Sequence, residues 1–122
     1  MTESNVELAR RGYEAVMRGD VDAIGEILDP DVKWHAGDPA SGCQNRKQTV
    51  GWMRKNWMRR GGPPGELVEL IDAGDKVVVI MRRMVQGEEP ELVANLTTFR
   101  DGKVVEMVHY PNPDDARAAA GV

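Results

Sequence analysis

Few side chains in this sequence are suited to moving a proton or forming a covalent bond near neutral pH: two histidines, one cysteine, and carboxylates or phenols set among apolar residues. His109 is the candidate general base. It closes the stretch Leu92–Tyr110, and an imidazole among Ala94, Met107 and helix side chains would have its charged form disfavoured by desolvation. That leaves a neutral base at about pH 7. The same ring at a pocket rim, hydrogen-bonded to backbone or water, would do no chemistry. Asp38 is the candidate partner, since a carboxylate can orient a catalytic imidazole. The alternative for it is an Asx turn before Pro39. Tyr13 offers a hydroxyl beside the apolar stripe of a first helix, or serves there as an amphipathic core residue. His35 lies on the opposite side of its strand from Trp34, which places it on an outer or edge surface.

Around these, Trp34, Met53, Trp57 and Met107 can wall a ligand cavity with rigid aromatic rings and adaptable thioethers, or simply pack a core. Leu96 and Thr98 join that wall if strand parity is kept. Arg82 and Arg83 alternate sides, so one must point inward, where it would hold an anionic group, or toward a partner. Cys43 stands in a Gly-rich loop without a histidine and is a poor nucleophile. Two histidines on different strands and no clustered ligands give no metal site, and no Gly-rich phosphate loop or other cofactor motif appears.

The elements that must position these groups are legible in the spacing. Asp101-Gly102 signals a two-residue type I′ hairpin, which needs positive φ at both centres. Folding there sets Arg100 opposite Lys103, Thr98 opposite Val105, Leu96 opposite Met107 and Ala94 opposite His109. Opposed residues share a face, so Leu96, Thr98, Met107 and His109 are expected together on the inner one. Asn95, Thr97, Phe99, Val104, Glu106 and Val108 are expected on the outer one. Val6, Ala9, Tyr13 and Val16 recur at helical spacing from Thr2 to Arg18, with Thr2 or Ser4 as cap and Gly19 as stop. Asp20 caps a short helix carrying Val21, Ile24, Ile27 and Leu28, ended by Asp29-Pro30-Asp31. A strand is expected over Val32–Ala36, and a loop from Gly37 to Asn45. A third helix, opened by the capping box Asn45–Gln48 and closed at Gly61, puts Val50, Met53 and Trp57 on one face. Strands follow over Glu66–Asp72 and Lys76–Val85. Asn112-Pro113 opens a short C-terminal helix ending at Gly121.

A chain of 122 residues corresponds to one domain, with ordinary hydrophobic (41%) and charged (30%) fractions. A formal net charge of −4 argues against a nucleic-acid partner; the run Arg54, Lys55, Arg59, Arg60 is read as a solvated helix face. A single cysteine excludes an internal disulfide. No stretch approaches the apolar length needed to span a bilayer, and residues 1–7 lack the basic and then apolar regions of a signal peptide. The expected location is cytoplasmic, without a membrane partner.

Several local motifs carry a family resemblance. Gly19-Asp20-Val21-Asp22-Ala23-Ile24, Asp29-Pro30-Asp31-Val32-Lys33-Trp34, the hairpin Arg100–Glu106 and the tail Asp114–Ala116 resemble those of the SnoaL-like branch of the nuclear-transport-factor-2-like superfamily. The resemblance covers nearly the whole chain. It implies an α+β, cystatin-like cone: N-terminal helices packed in a curved, mostly antiparallel sheet, with a cavity between them for a small apolar or cyclic molecule. It also implies a homodimer through the outer sheet face. Relatives include ketosteroid isomerases, limonene epoxide hydrolases and polyketide cyclases. The isomerase proton-transfer positions fall here on Gly12, Ala36 and Leu96, none of which can exchange a proton, unless Tyr13 and Asp38 substitute after a register shift. The hydrolase Asp-Arg-Asp set is missing, because Met84 and Val85 follow Arg83. A cofactor-independent cyclase or isomerase with His109 as base remains, beside a non-catalytic binding protein and a domain whose cavity is filled by its own side chains.

Overall fold

The computed structural model describes residues 4–60, 65–83 and 89–122, except for the side chains of residues 57–60. Along these runs α1 (Asn5–Arg18), α2 (Val21–Ile27), β1 (Leu28–His35), α3 (Arg46–Arg60), β2 (Glu66–Ala73), β3 (Lys76–Arg83), β4 (Glu91–Arg100), β5 (Lys103–Tyr110) and α4 (Pro113–Ala120) follow in order. The strands make one sheet in the order β1-β5-β4-β3-β2. All neighbours are antiparallel except β1 and β5, giving the expected α+β, mostly antiparallel architecture.

Local chemistry sets the boundaries. Ser4 caps α1 by accepting from the Glu7 N–H, and Gly19 ends it in the left-handed region at φ 75°. Asn45 accepts from the Gln48 N–H, while the Gln48 side chain reaches back to the Gln44 N–H, one residue before the expected partner. Asn112 caps α4, with Pro113 in its first turn. β1 begins earlier than its β-branched residues suggest. It runs through Asp29-Pro30-Asp31, which an edge strand tolerates because proline's missing donor faces no neighbour.

Two apolar layers flank the sheet. On one side Leu8, Ala9, Ile24 and Ile27 of α1 and α2 pack on Val77, Val79, Phe99 and Val104. On the other, Ala116 of α4 covers Val78, Ile80, Ala94, Leu96 and Val108. β3 is therefore buried on both faces, which explains its nearly unbroken Val-Val-Val-Ile-Met run.

The hairpin holds the main departure from expectation. Asp101 and Gly102 have φ of 53° and 77°, as a type I′ turn demands, and Arg100 faces Lys103. Phe99 then faces Val104, but Thr98 faces Glu106, so Val105 is an extra residue in a β-bulge. From there on the pairing is shifted by one: Thr97 meets Met107 and Asn95 meets His109. A one-residue slip exchanges faces. Met107 and His109 stay inside, but Leu96 and Thr98 are not cavity residues. Leu96 packs under α4 in the outer layer, and Val93, Asn95, Thr97 and Phe99 take the inner positions of β4.

Candidate functional site

Helices α1–α3 and the inner sheet face enclose a cavity of about 180 Å³. Its walls are mostly apolar. Phe99, Val104 and Leu28 lie toward the hairpin end, where Phe99 and Val104 are paired across the strands. At the side, Trp34 of β1 meets Trp52 of α3 edge-on, with ring centroids 4.8 Å apart and planes at 79°. Trp52 remains 47% exposed although it lines the cavity. Met53 and Met107 complete this wall. Trp57 lies in the last part of α3, where side chains are outside the described residues.

Against this apolar lining stands one polar group of residues. His109 and Asn95 are directly paired on β5 and β4, so their side chains are neighbours on the inner face. The Asn95 side-chain amide donates to the Tyr13 hydroxyl at 2.9 Å. Asn95 is 8% exposed and Thr97 2%. The Asn95 Oδ1 and Thr97 Oγ1 atoms have no hydrogen-bond partner among the described residues. Buried oxygens of this kind are normally satisfied, so the cavity offers two acceptor positions beside the Tyr13 hydroxyl.

Burial sets the electrostatics of the cluster. It pushes the Tyr13 phenol up to about 12, against the hydrogen bond from Asn95 and the nearby Thr97 hydroxyl, so Tyr13 is protonated at neutral pH. Desolvation, and secondarily the positive charge of Arg83, holds the His109 imidazole below its ordinary value. No hydrogen bond to the His109 ring is present among the described residues. Arg83 lines the cavity, whereas Arg82 pairs outward with Glu66 at 3.4 Å. The Arg83 guanidinium contacts Glu91 through Nε, at 3.1 Å, and through Nη2, both to the same carboxylate oxygen.

Asp38 takes no part. It does not line the cavity but sits exposed in the loop after β1, accepting from the Ala40 N–H at 3.0 Å and the Ser41 hydroxyl at 2.7 Å. Those bonds, with a small contribution from His35, hold its carboxyl below the usual range. The strand ends at His35 and Gly37 turns away at φ 129°, so the parity linking Asp38 to Trp34 is lost. His35 is on the side of the sheet away from the cavity, as expected, but it is buried there rather than at a surface. Its Nδ1 accepts from the Gly37 N–H and its Nε2 meets Glu106 at 3.0 Å, which fixes the Nε2–H tautomer. Among the described residues no three His, Cys, Asp or Glu side chains gather as a metal site, and no helix is long and apolar enough to cross a membrane.

Sequence reasoning missed Trp52, Asn56, Asn95, Thr97 and Phe99 as cavity residues. The available signal for two of them was the spacing of Trp52, Met53 and Asn56, which places them on one strip of α3.

Residues 9–107 match the family model described as the SnoaL-like domain. No curated protein sequence matches the chain. Among solved structures, a cystatin-fold protein from Novosphingobium aromaticivorans is similar at TM-score 0.75 and 20% identity, over 88% of this chain and 97% of that one. Bal32a, from a soil-derived mobile gene cassette, is similar at TM-score 0.74 and 23% identity, over 87% of each chain. A Sinorhizobium meliloti protein provisionally named a polyketide cyclase is similar at TM-score 0.70 and 20% identity, over 84% of this chain and 93% of that one. At these identities the likeness is one of fold, and it is the cystatin-like cone.

Proposed function

This chain belongs to the SnoaL-like family, and from that premise we propose that its cavity binds a small, mostly apolar or cyclic molecule on which His109 acts as a general base without a cofactor. The observation that carries this reading is the pairing of His109 with Asn95 at the wall of an apolar cavity, with Tyr13 bonded to the same amide. A neutral imidazole can take a proton from a carbon next to a carbonyl. The phenol of Tyr13 accepts from Asn95, so its own proton is available to the carbonyl oxygen as negative charge develops there. The proton held on His109 then returns to a different carbon or oxygen. That exchange is the common step of double-bond isomerisation and aldol-type ring closure. The provisional name of the Sinorhizobium neighbour is compatible with it.

A specific observation favours a second reading. No described carboxylate orients His109, since Asp38 is bonded elsewhere. A protein that only binds its ligand needs no such support.

Deuterium uptake at the α-carbons of cyclohexanone in D₂O, followed by NMR, tests both readings. Catalysis by the cluster gives acceleration over buffer that falls about 10²-fold or more in His109→Gln, and comparably in Tyr13→Phe. No acceleration while cyclohexanone still quenches tryptophan fluorescence leaves the binding role and removes the catalytic one.

A further inference from the structure

Three features of the cavity bear on what fits inside it: its size and, among the described residues, two unpartnered oxygens and one charged side chain. An apolar cavity of about 150 Å³ accepts a benzene ring, so about 180 Å³ has room for one substituted six-membered ring. Asn95 Oδ1 and Thr97 Oγ1 are buried, lie on the inner face and meet no described partner. They would be satisfied by a ligand group that donates, such as a ring hydroxyl. Arg83 is the single charged residue among the described ones lining the cavity. It stands four positions from the Val79–Asn95 level of the sheet, roughly 14 Å along the strand. Arg83 and His109, which pairs with Asn95, line the same cavity, and the guanidinium charge disfavours the protonated imidazole there.

Arg83 is also incompletely used. Both of its contacts converge on one Glu91 oxygen, and the two side chains are 38% and 50% exposed. An exposed pair of this kind contributes little and exchanges readily, whereas a planar carboxylate on a ligand can take the guanidinium fork in two parallel bonds. Among the described residues no second cation lines the cavity, and one guanidinium suits a carboxylate rather than a phosphate.

We propose that the ligand is a single-ring hydroxy-carboxylate. Its ring lies against Met81 and Val93, at the level between the two polar ends, its hydroxyl reaches Asn95 and Thr97, and its carboxylate replaces Glu91 on Arg83. This rests on the reading that the cavity takes a small cyclic molecule, and it adds the two polar ends.

Tryptophan-fluorescence titration of the full chain with toluene, phenol, benzoate and 4-hydroxybenzoate tests it. The expected order places 4-hydroxybenzoate about tenfold or more tighter than either phenol or benzoate. Arg83→Gln removes the advantage over phenol, and Thr97→Val removes the advantage over benzoate. Glu91→Gln tightens both acids by freeing the guanidinium, a gain that a folding defect cannot imitate. Equal affinity for the four probes, or acid binding indifferent to Arg83 and Glu91, overturns the proposal while leaving the apolar pocket intact. Failure of all four to bind overturns the pocket reading itself, and this proposal with it.

Discussion

Replacing Thr97 with valine should leave the free protein as stable as before, or more so, while damaging recognition of a hydroxylated ring. Thr97 is 2% exposed, faces the cavity, and its hydroxyl meets no described partner. Valine keeps the β-branched shape that a central strand favours. When a buried hydroxyl is hydrogen-bonded within the protein, its removal typically leaves a partner stranded at a cost of about 1–3 kcal/mol. Here the neighbouring polar group is the Tyr13 hydroxyl, which keeps its bond from Asn95 when Thr97 is replaced, so no partner is stranded and the desolvation cost of the hydroxyl disappears with it. The expected change runs from zero to about 1 kcal/mol of stabilisation, which raises the thermal midpoint by up to roughly 3–5 °C in a domain of this size. Urea unfolding followed by tryptophan fluorescence measures it, with the slope m required to stay constant. Affinity for 4-hydroxybenzoate should fall about tenfold in the same variant. A stability loss greater than about 1 kcal/mol would mean the hydroxyl is already engaged in the free protein, and the reasoning about an available acceptor would be refuted.

Tyr13 links stability to alkaline pH. Its folded-state value of about 12 lies above the ordinary 10.0, so its contribution is complete below pH 10 and is lost as pH rises toward 12. The loss is of order 2–3 kcal/mol; Tyr13→Phe should flatten that part of the stability profile, and an unchanged profile would contradict it. Phe99→Ala empties the hairpin end of the cavity, where Phe99 is 4% exposed; a loss of about 3–5 kcal/mol by urea unfolding is expected, and a cost below about 1 kcal/mol would place the ring outside the core. At Gly42 an added Cβ would run into the carbonyl oxygen of Trp34, beside the Trp34–Cys43 bridge. Gly42→Ala should cost about 1–3 kcal/mol and shift the tryptophan emission, whereas neutrality would show that the loop docks differently.

Much of the fold can be read from local chemistry. Ser4, Asn45 and Asn112 announce helix starts, and Asp101-Gly102 announces the hairpin with the backbone signs it adopts. What could not be read is the parity beyond the turn. Val104 and Val105 are chemically interchangeable, so the local sequence does not say which of them faces inward. The outer face gives no contrast either: Ala94, Leu96 and Val108 are apolar because α4 covers them, although they are not in the cavity. His109 and Met107 were placed correctly because the bulge moves the β4 residues relative to them, so the error fell on Leu96 and Thr98. Trp52 escaped notice because the face of α3 was read through Val50, Met53 and Trp57, whereas the cavity strip runs through Trp52, Met53 and Asn56 and includes a polar residue. Asp38 was read through a strand that stops three residues earlier, at His35.

The central claim is that His109 lies within the cavity as a neutral base in reach of the ligand. Following the His109 ring signals by NMR across the acid range, with and without 4-hydroxybenzoate, tests it most directly. The expected midpoint lies below the ordinary 6.5, because burial and Arg83 disfavour the charged ring. Proton uptake by the unfolded chain before the folded one then makes stability fall as pH drops below that value. The ring signals should also shift when the ligand binds. A midpoint at or above 6.5 together with signals indifferent to the ligand would contradict the claim.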